Sequence, residues 1–158
     1  MEEPRIAKQD EMILVGIVAS APDVGEIDIH GLWERFETYF DSIKHRVGDK
    51  SYEIHIEEDV SPTMHFCFVG CQVSAIEDLD SELFAKTLPA CHYAVFTHRF
   101  RHGDYYVAFE AVYDWLEHSA YAPAHLFDVQ VYDERFRGVD DPDSEFEIHV
   151  PIIALEDL

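Results

Sequence analysis

The sequence predicts an α+β fold built from two βαββ units that share one curved antiparallel sheet. Three observations carry that expectation. Several short segments alternate apolar and polar residues with the period of a strand. Two longer segments repeat apolar residues at spacings of three and four, the period of a helix. The order strand, helix, strand, strand then occurs twice, over about residues 11–75 and 84–153. Two helices can cover one face of such a sheet. The other face must be solvated or curve around a ligand, and the join between the halves is a natural place for a central pocket.

Residues 12–20 (MILVGIVAS) are rich in branched apolar side chains and are followed by Pro22, so they read as a strand. Residues 29–47 read as a helix, because Ile29, Leu32, Trp33, Phe36, Tyr39, Phe40 and Ile43 fall on one stripe. Asp28 is placed to cap its start and Gly48 to stop it. Residues 52–57 and 65–73 alternate and read as strands, and an acidic loop over 76–82 separates the halves. In the second half a strand is centred on residues 93–98, with Pro89 at its start or at a bulge. Residues 106–118 form a helix with Val107, Phe109, Tyr113, Trp115 and Leu116 on a wide apolar stripe. Residues 127–134 are a strand, and the cluster Asp140–Ser144 is a turn. The last strand, 145–152, sets Phe146, Ile148 and Val150 on one face and Glu145, Glu147 and His149 on the other.

The 158 residues are enough for one domain with a substantial core, and 47% are apolar and 13% aromatic. No apolar run approaches the ~18 residues of a membrane span, and the start MEEPRI has no signal-peptide character. A cytoplasmic protein is expected. Three cysteines, Cys67, Cys71 and Cys91, make no disulfide framework and read as small buried thiols. The ten histidines, His55, His65 and the cluster His92, His98 and His102 among them, show no zinc-site spacing, so neither a metal nor another cofactor is expected. A net charge of −22 opposes unaided binding to nucleic acid or to anionic membranes and attracts cations.

Four stretches in order carry a family resemblance: LPACHYAVFTH over 88–98, YDWL with SAY over 113–121, YDERF over 132–136, and DSEFEIHVPI over 143–152. In that sequence of pieces the chain resembles the GyrI-like small-molecule-binding domain, the effector-binding domain of some AraC-type and MerR-type regulators, which also occurs free-standing. The first half fits through Val15, Gly16, Trp33 and Tyr52. The resemblance implies the duplicated βαββ fold and a central pocket for amphipathic, aromatic and often cationic compounds. It also implies a glutamate on the last strand at the base of the pocket, here Glu147. Tyr132, Tyr93, Trp115 and Tyr113 are the candidate stacking residues. Tyr132 is chief among them because its parity, opposite to Val129 and Val131, takes it off the helix-facing side. Trp115 reads more readily as core. Arg135 reads as a structural partner of a neighbouring carboxylate.

The expected function is free-standing binding of such compounds, for sequestration or sensing. Two alternatives stay open at this point. One is a hydrolase that opens strained electrophiles with Glu147 as base, aided by Glu110 or a tyrosine, if burial raises the glutamate pKa. The other is an acidic interaction module acting on a basic protein such as gyrase, or on a partner regulator. A first strand beginning near residue 12 leaves no room for a helix-turn-helix, so direct DNA contact is not expected.

Overall fold

The computed structural model describes residues 2–57 and 63–158. The described residues form an α+β protein of nine antiparallel strands and two α-helices, divided into two compact units. No helix among them is long and apolar enough to cross a membrane.

One unit spans residues 10–90. It holds β2 (Met12–Ala21), α1 (Ile29–Phe40), β3 (Ser51–Glu57), β4 (His65–Val73) and β5 (Phe84–Leu88), preceded along the chain by β1 (Arg5–Gln9) of the other unit. Its strands lie in the order β3-β4-β2-β5. Gly16 faces Gly70 across β2 and β4, and a Cβ at Gly16 would stand 1.9 Å from the Val69 carbonyl oxygen. Only two glycines let these backbones pair so closely. Val15 and Ile17 of β2 and Cys67, Val69, Cys71 and Val73 of β4 share one face, and Leu32 and Phe36 of α1 pack on it. The Asp28 carboxylate caps α1 by accepting from Gly31 N at 2.9 Å. The helix ends at Phe40 rather than at Val47. His45 adopts φ +65°, and Val47 N donates to Gln72 O at 2.8 Å, so residues 45–47 lie along the edge of β4 instead of continuing the helix. The apolar spacing out to Ile43 survives because Ile43 still reaches the core.

The second unit comprises residues 2–9 and 91–158. After β1 it contains β6 (Cys91–Arg99), α2 (Tyr105–His118), β7 (Tyr121–Pro123), β8 (Phe127–Tyr132) and β9 (Glu145–Ala154), with sheet order β1-β6-β9-β8 and β7 on β9. Asp104 caps α2 by accepting from Val107 N at 3.2 Å. The helix buries Ala108 and Val112, and Trp115 meets Phe96 edge-to-face with ring centroids 5.4 Å apart. Phe100, Tyr105, Tyr132, Phe136 and Phe146 form an aromatic cluster, in which Tyr132 stacks on Phe146 at 5.4 Å.

Both units therefore carry the strand–helix–strand–strand order that the sequence repeats. Strands β1 and β5 and the three-residue β7 lie outside that order. The second repeat was expected from residue 84, but β5 pairs with β2, and the repeat begins at β6.

Candidate functional site

Strand β9 places its residues alternately, as its sequence pattern requires. Phe146 and Ile148 lie on the α2 side of the sheet. Glu147 and His149 point the other way, yet they are only 6% and 7% exposed. The register sets Glu147 between Thr97 of β6 and Val131 of β8, and His149 between Val95 and Val129. A carboxylate among such neighbours is costly unless it is paired.

Its partners come from three segments. His149, two residues along the same face, places Nε2 2.8 Å from Glu147 Oε1. Arg135 reaches in from the turn after β8 and donates Nη2–H to Glu147 Oε2 at 2.9 Å. That guanidinium is itself held by Asp133, which accepts from Arg135 Nε at 2.9 Å and from Nη2 at 2.8 Å, as well as from its backbone N. Arg5 of β1 stands further off, with Nη2 3.8 Å from Oε1, and its side chain is 64% exposed. The His149 contact is the strongest influence on the carboxyl. Burial opposes it, and Arg135 adds to it, so the Glu147 pKa falls to about 2. Glu147 is thus a buried carboxylate held as an anion. The raised pKa that general-base action in a hydrolase would require is not found.

Tyr93 of β6 lies on this same face, opposite Pro151, with its ring 6.1 Å from that of His149. Burial pushes its phenol pKa up, so the ring is neutral. Glu147, His149, Tyr93 and the two arginines therefore form one local group in the second unit.

The other sequence candidates lie elsewhere. Tyr132 does not leave the helix-facing side. Val129 and Val131 pair with His149 and Glu147 and share their face, whereas Tyr132 faces α2, where its hydroxyl donates to Gln130 Oε1 at 2.6 Å and can accept from the Tyr105 hydroxyl at 3.2 Å. The parity reading failed because β8 is buried on both faces: Val129, Gln130, Val131 and Tyr132 are all buried, so alternation does not tell inside from outside. Trp115 packs on Phe96 and Tyr121 in the α2 layer, with Nε1–H donated to Glu3 at 3.1 Å. Tyr113 is 58% exposed on α2. Sequence reasoning noticed His149 but gave it no role, treated Arg135 as structural only, and missed Arg5. The signal for the first was its i, i+2 spacing from Glu147. Arg5 lies in a strand too short and polar to be noticed.

Comparison with known proteins bears out the resemblance read from the four stretches. The family described as the GyrI-like small molecule binding domain matches residues 2–153. The transcriptional regulator BrlR of Pseudomonas aeruginosa is 30% identical over 155 residues, covering 94% of this chain and 54% of the regulator. The chain thus spans about half the length of that relative. Among solved structures, SAV2435 bound to tetraphenylphosphonium aligns over 99% of this chain and 97% of its own, with TM-score 0.77 and 17% identity. The C-terminal domain of EcmrR aligns over 96% and 98%, with TM-score 0.69 and 14% identity. The longer EcmrR chain, seen in a complex with DNA, is covered over 57% of its length. At these identities the structural likenesses show the fold.

Proposed function

The chain belongs to the GyrI-like small-molecule-binding family, and from that premise we propose that it binds amphipathic aromatic cations through Glu147. The observation that carries this reading is a carboxylate 6% exposed whose pKa is held near 2. Such a group stays charged at every physiological pH, and low local polarity strengthens its attraction for a cation. Arg135 and His149 keep it ionised and oriented. Arg5 is the loosely held partner at Oε1, beyond hydrogen-bond distance and mostly in solvent. A ligand cation exchanges for Arg5 there without breaking the Arg135 bond at Oε2. The neutral Tyr93 ring beside His149 supplies a face for aromatic or cationic groups, worth about 0.5–2 kcal/mol. The cationic ligand of SAV2435 supports the same choice of chemistry. Tyr132, Trp115 and Tyr113 have no part in it. A net charge of −22 opposes nucleic acid as a direct partner of this domain. Binding of this kind serves sequestration of a toxic compound or sensing for a partner regulator.

A thermal-shift screen tests the reading. Tetraphenylphosphonium should raise the melting temperature of the wild type, and neutral triphenylphosphine oxide should raise it less. Glu147→Gln keeps the shape but removes the charge, and should abolish the advantage of the cation. An equal shift in both proteins, or equal shifts with both compounds, contradicts the assignment.

A further inference from the structure

We propose that the first unit carries a binding site for a borderline divalent cation of the Zn²⁺ class, formed by Glu53, His55 and Cys67. This site is separate from the Glu147 group and does not rest on the ligand proposed for it. The three residues come together through strand register. His55 of β3 sits directly opposite Cys67 of β4, and Glu53 follows on the same face at i−2. Motif spacing hides this grouping, because the sequence separation of twelve between His55 and Cys67 closes only in the sheet.

His55 Nε2 lies 2.7 Å from Glu53 Oε2 and 4.0 Å from Cys67 Sγ, and the three donor atoms all lie within 4.8 Å of one another. Glu53 and Cys67 are buried and His55 is largely so. A nucleophilic triad would need the thiol at one imidazole nitrogen and the carboxylate at the other. Here both converge on the same nitrogen, Nε2, which is the arrangement a cation between them requires. Bonds of about 2.0–2.1 Å to nitrogen and oxygen and about 2.3 Å to sulfur separate tetrahedral donors by roughly 3.3–3.7 Å. Carboxylate and imidazole need to part by about half an ångström, and sulfur needs to approach the imidazole by a few tenths and the carboxylate by up to about one ångström.

The surrounding contacts orient the donors as bound ligands are oriented. Trp33 of α1 donates Nε1–H to Glu53 Oε1 at 2.6 Å, which leaves Oε2 aimed at His55. His55 Nδ1 stands 3.0 Å from His65 Nε2. Once it gives up the proton it donates to Glu53, an imidazole whose Nδ1–H is donated to His65 presents Nε2 bare to a cation. Binding releases two protons to solvent, that of the Cys67 thiol and the one His55 Nε2 donates to Glu53. Sulfur, nitrogen and oxygen donors together select Zn²⁺ or Co²⁺ over Mg²⁺ or Ca²⁺. Three protein donors leave a fourth position for water or another ligand.

The test is titration of the chelator-stripped 158-residue chain with Co²⁺, followed by absorption and by Zn²⁺ competition. The expected result is one Co²⁺ per chain, a thiolate-to-cobalt charge-transfer band with tetrahedral d–d bands, and displacement by Zn²⁺. Cys67→Ser should lose the charge-transfer band and Cys91→Ser should keep it. His55→Asn should lose tight binding, and decides the matter where Cys67→Ser does not fold. His65→Ala should keep the band but bind about ten- to hundredfold more weakly, as a positioning residue does. A wild type without the band, a band that survives Cys67→Ser, or tight binding that survives His55→Asn overturns the site.

Discussion

Glu147 owes its ionised state to His149 and Arg135, and that state has a measurable cost at low pH. Its folded pKa, about 2, lies below the ordinary 4.5. The carboxylate therefore contributes stability that is fully present above the ordinary value. That contribution is lost as pH falls from there through about 2. Chemical denaturation across that window should show the wild type losing stability more steeply than Glu147→Gln, whose side chain does not titrate. Parallel curves for the two proteins would mean that Glu147 is not held in this way. At this scale the sequence was partly legible. The sequence singled out Glu147 through the resemblance and its strand parity, and Tyr93 through its place mid-strand, and the structure sets both on one face beside His149. Tyr132 was misplaced because a strand buried on both faces has no polar side by which to orient the reading. His55 and Cys67 were visible as residues, but the register that makes them neighbours is a property of two strands, which one strand's pattern does not contain.

Among the elements, the long periodic ones were legible and the edges were not. Strand β4 and helix α2 fall within a residue of expectation, because each carries a sustained pattern and α2 has a capping Asp104. Helix α1 was read too long, since Ile43 keeps the helical spacing while the backbone has already turned away. Strand β1, with its polar residues, and the three-residue β7 have too little alternation to be noticed. The pairing of β2 with β4 makes a sharp prediction. Gly16→Ala would set a methyl against the Val69 carbonyl oxygen. Backbone must then separate at the centre of the first unit, and the expected loss is about 3 kcal/mol or more, measured by urea denaturation. A change within about 0.5 kcal/mol, the size of an ordinary surface substitution, would show that the two backbones do not approach so closely.

For the whole molecule, the doubled βαββ order was readable, because the same succession of periods occurs twice. The strand exchange that gives β5 to the first unit and β1 to the second was not, since nothing local records a distant partner. The charge of −22 belongs to this scale as well. It draws cations toward the protein, and that attraction is screened as the Debye length shrinks from about 30 Å at 0.01 M salt to about 8 Å at 0.15 M. Affinity for a cationic aromatic compound should fall several-fold over that range, while a neutral analogue should bind with little change. Salt-independent binding of the cation would assign the selectivity wholly to the buried site. The central claim is that the Glu147 charge holds the ligand. Calorimetric titration of tetraphenylphosphonium into the wild type and into Glu147→Gln tests it most directly. The account predicts saturable binding to the wild type and a loss of about tenfold to hundredfold in the variant, the size of one charged interaction of ~1.5–3 kcal/mol. Equal dissociation constants for the two folded proteins would contradict it.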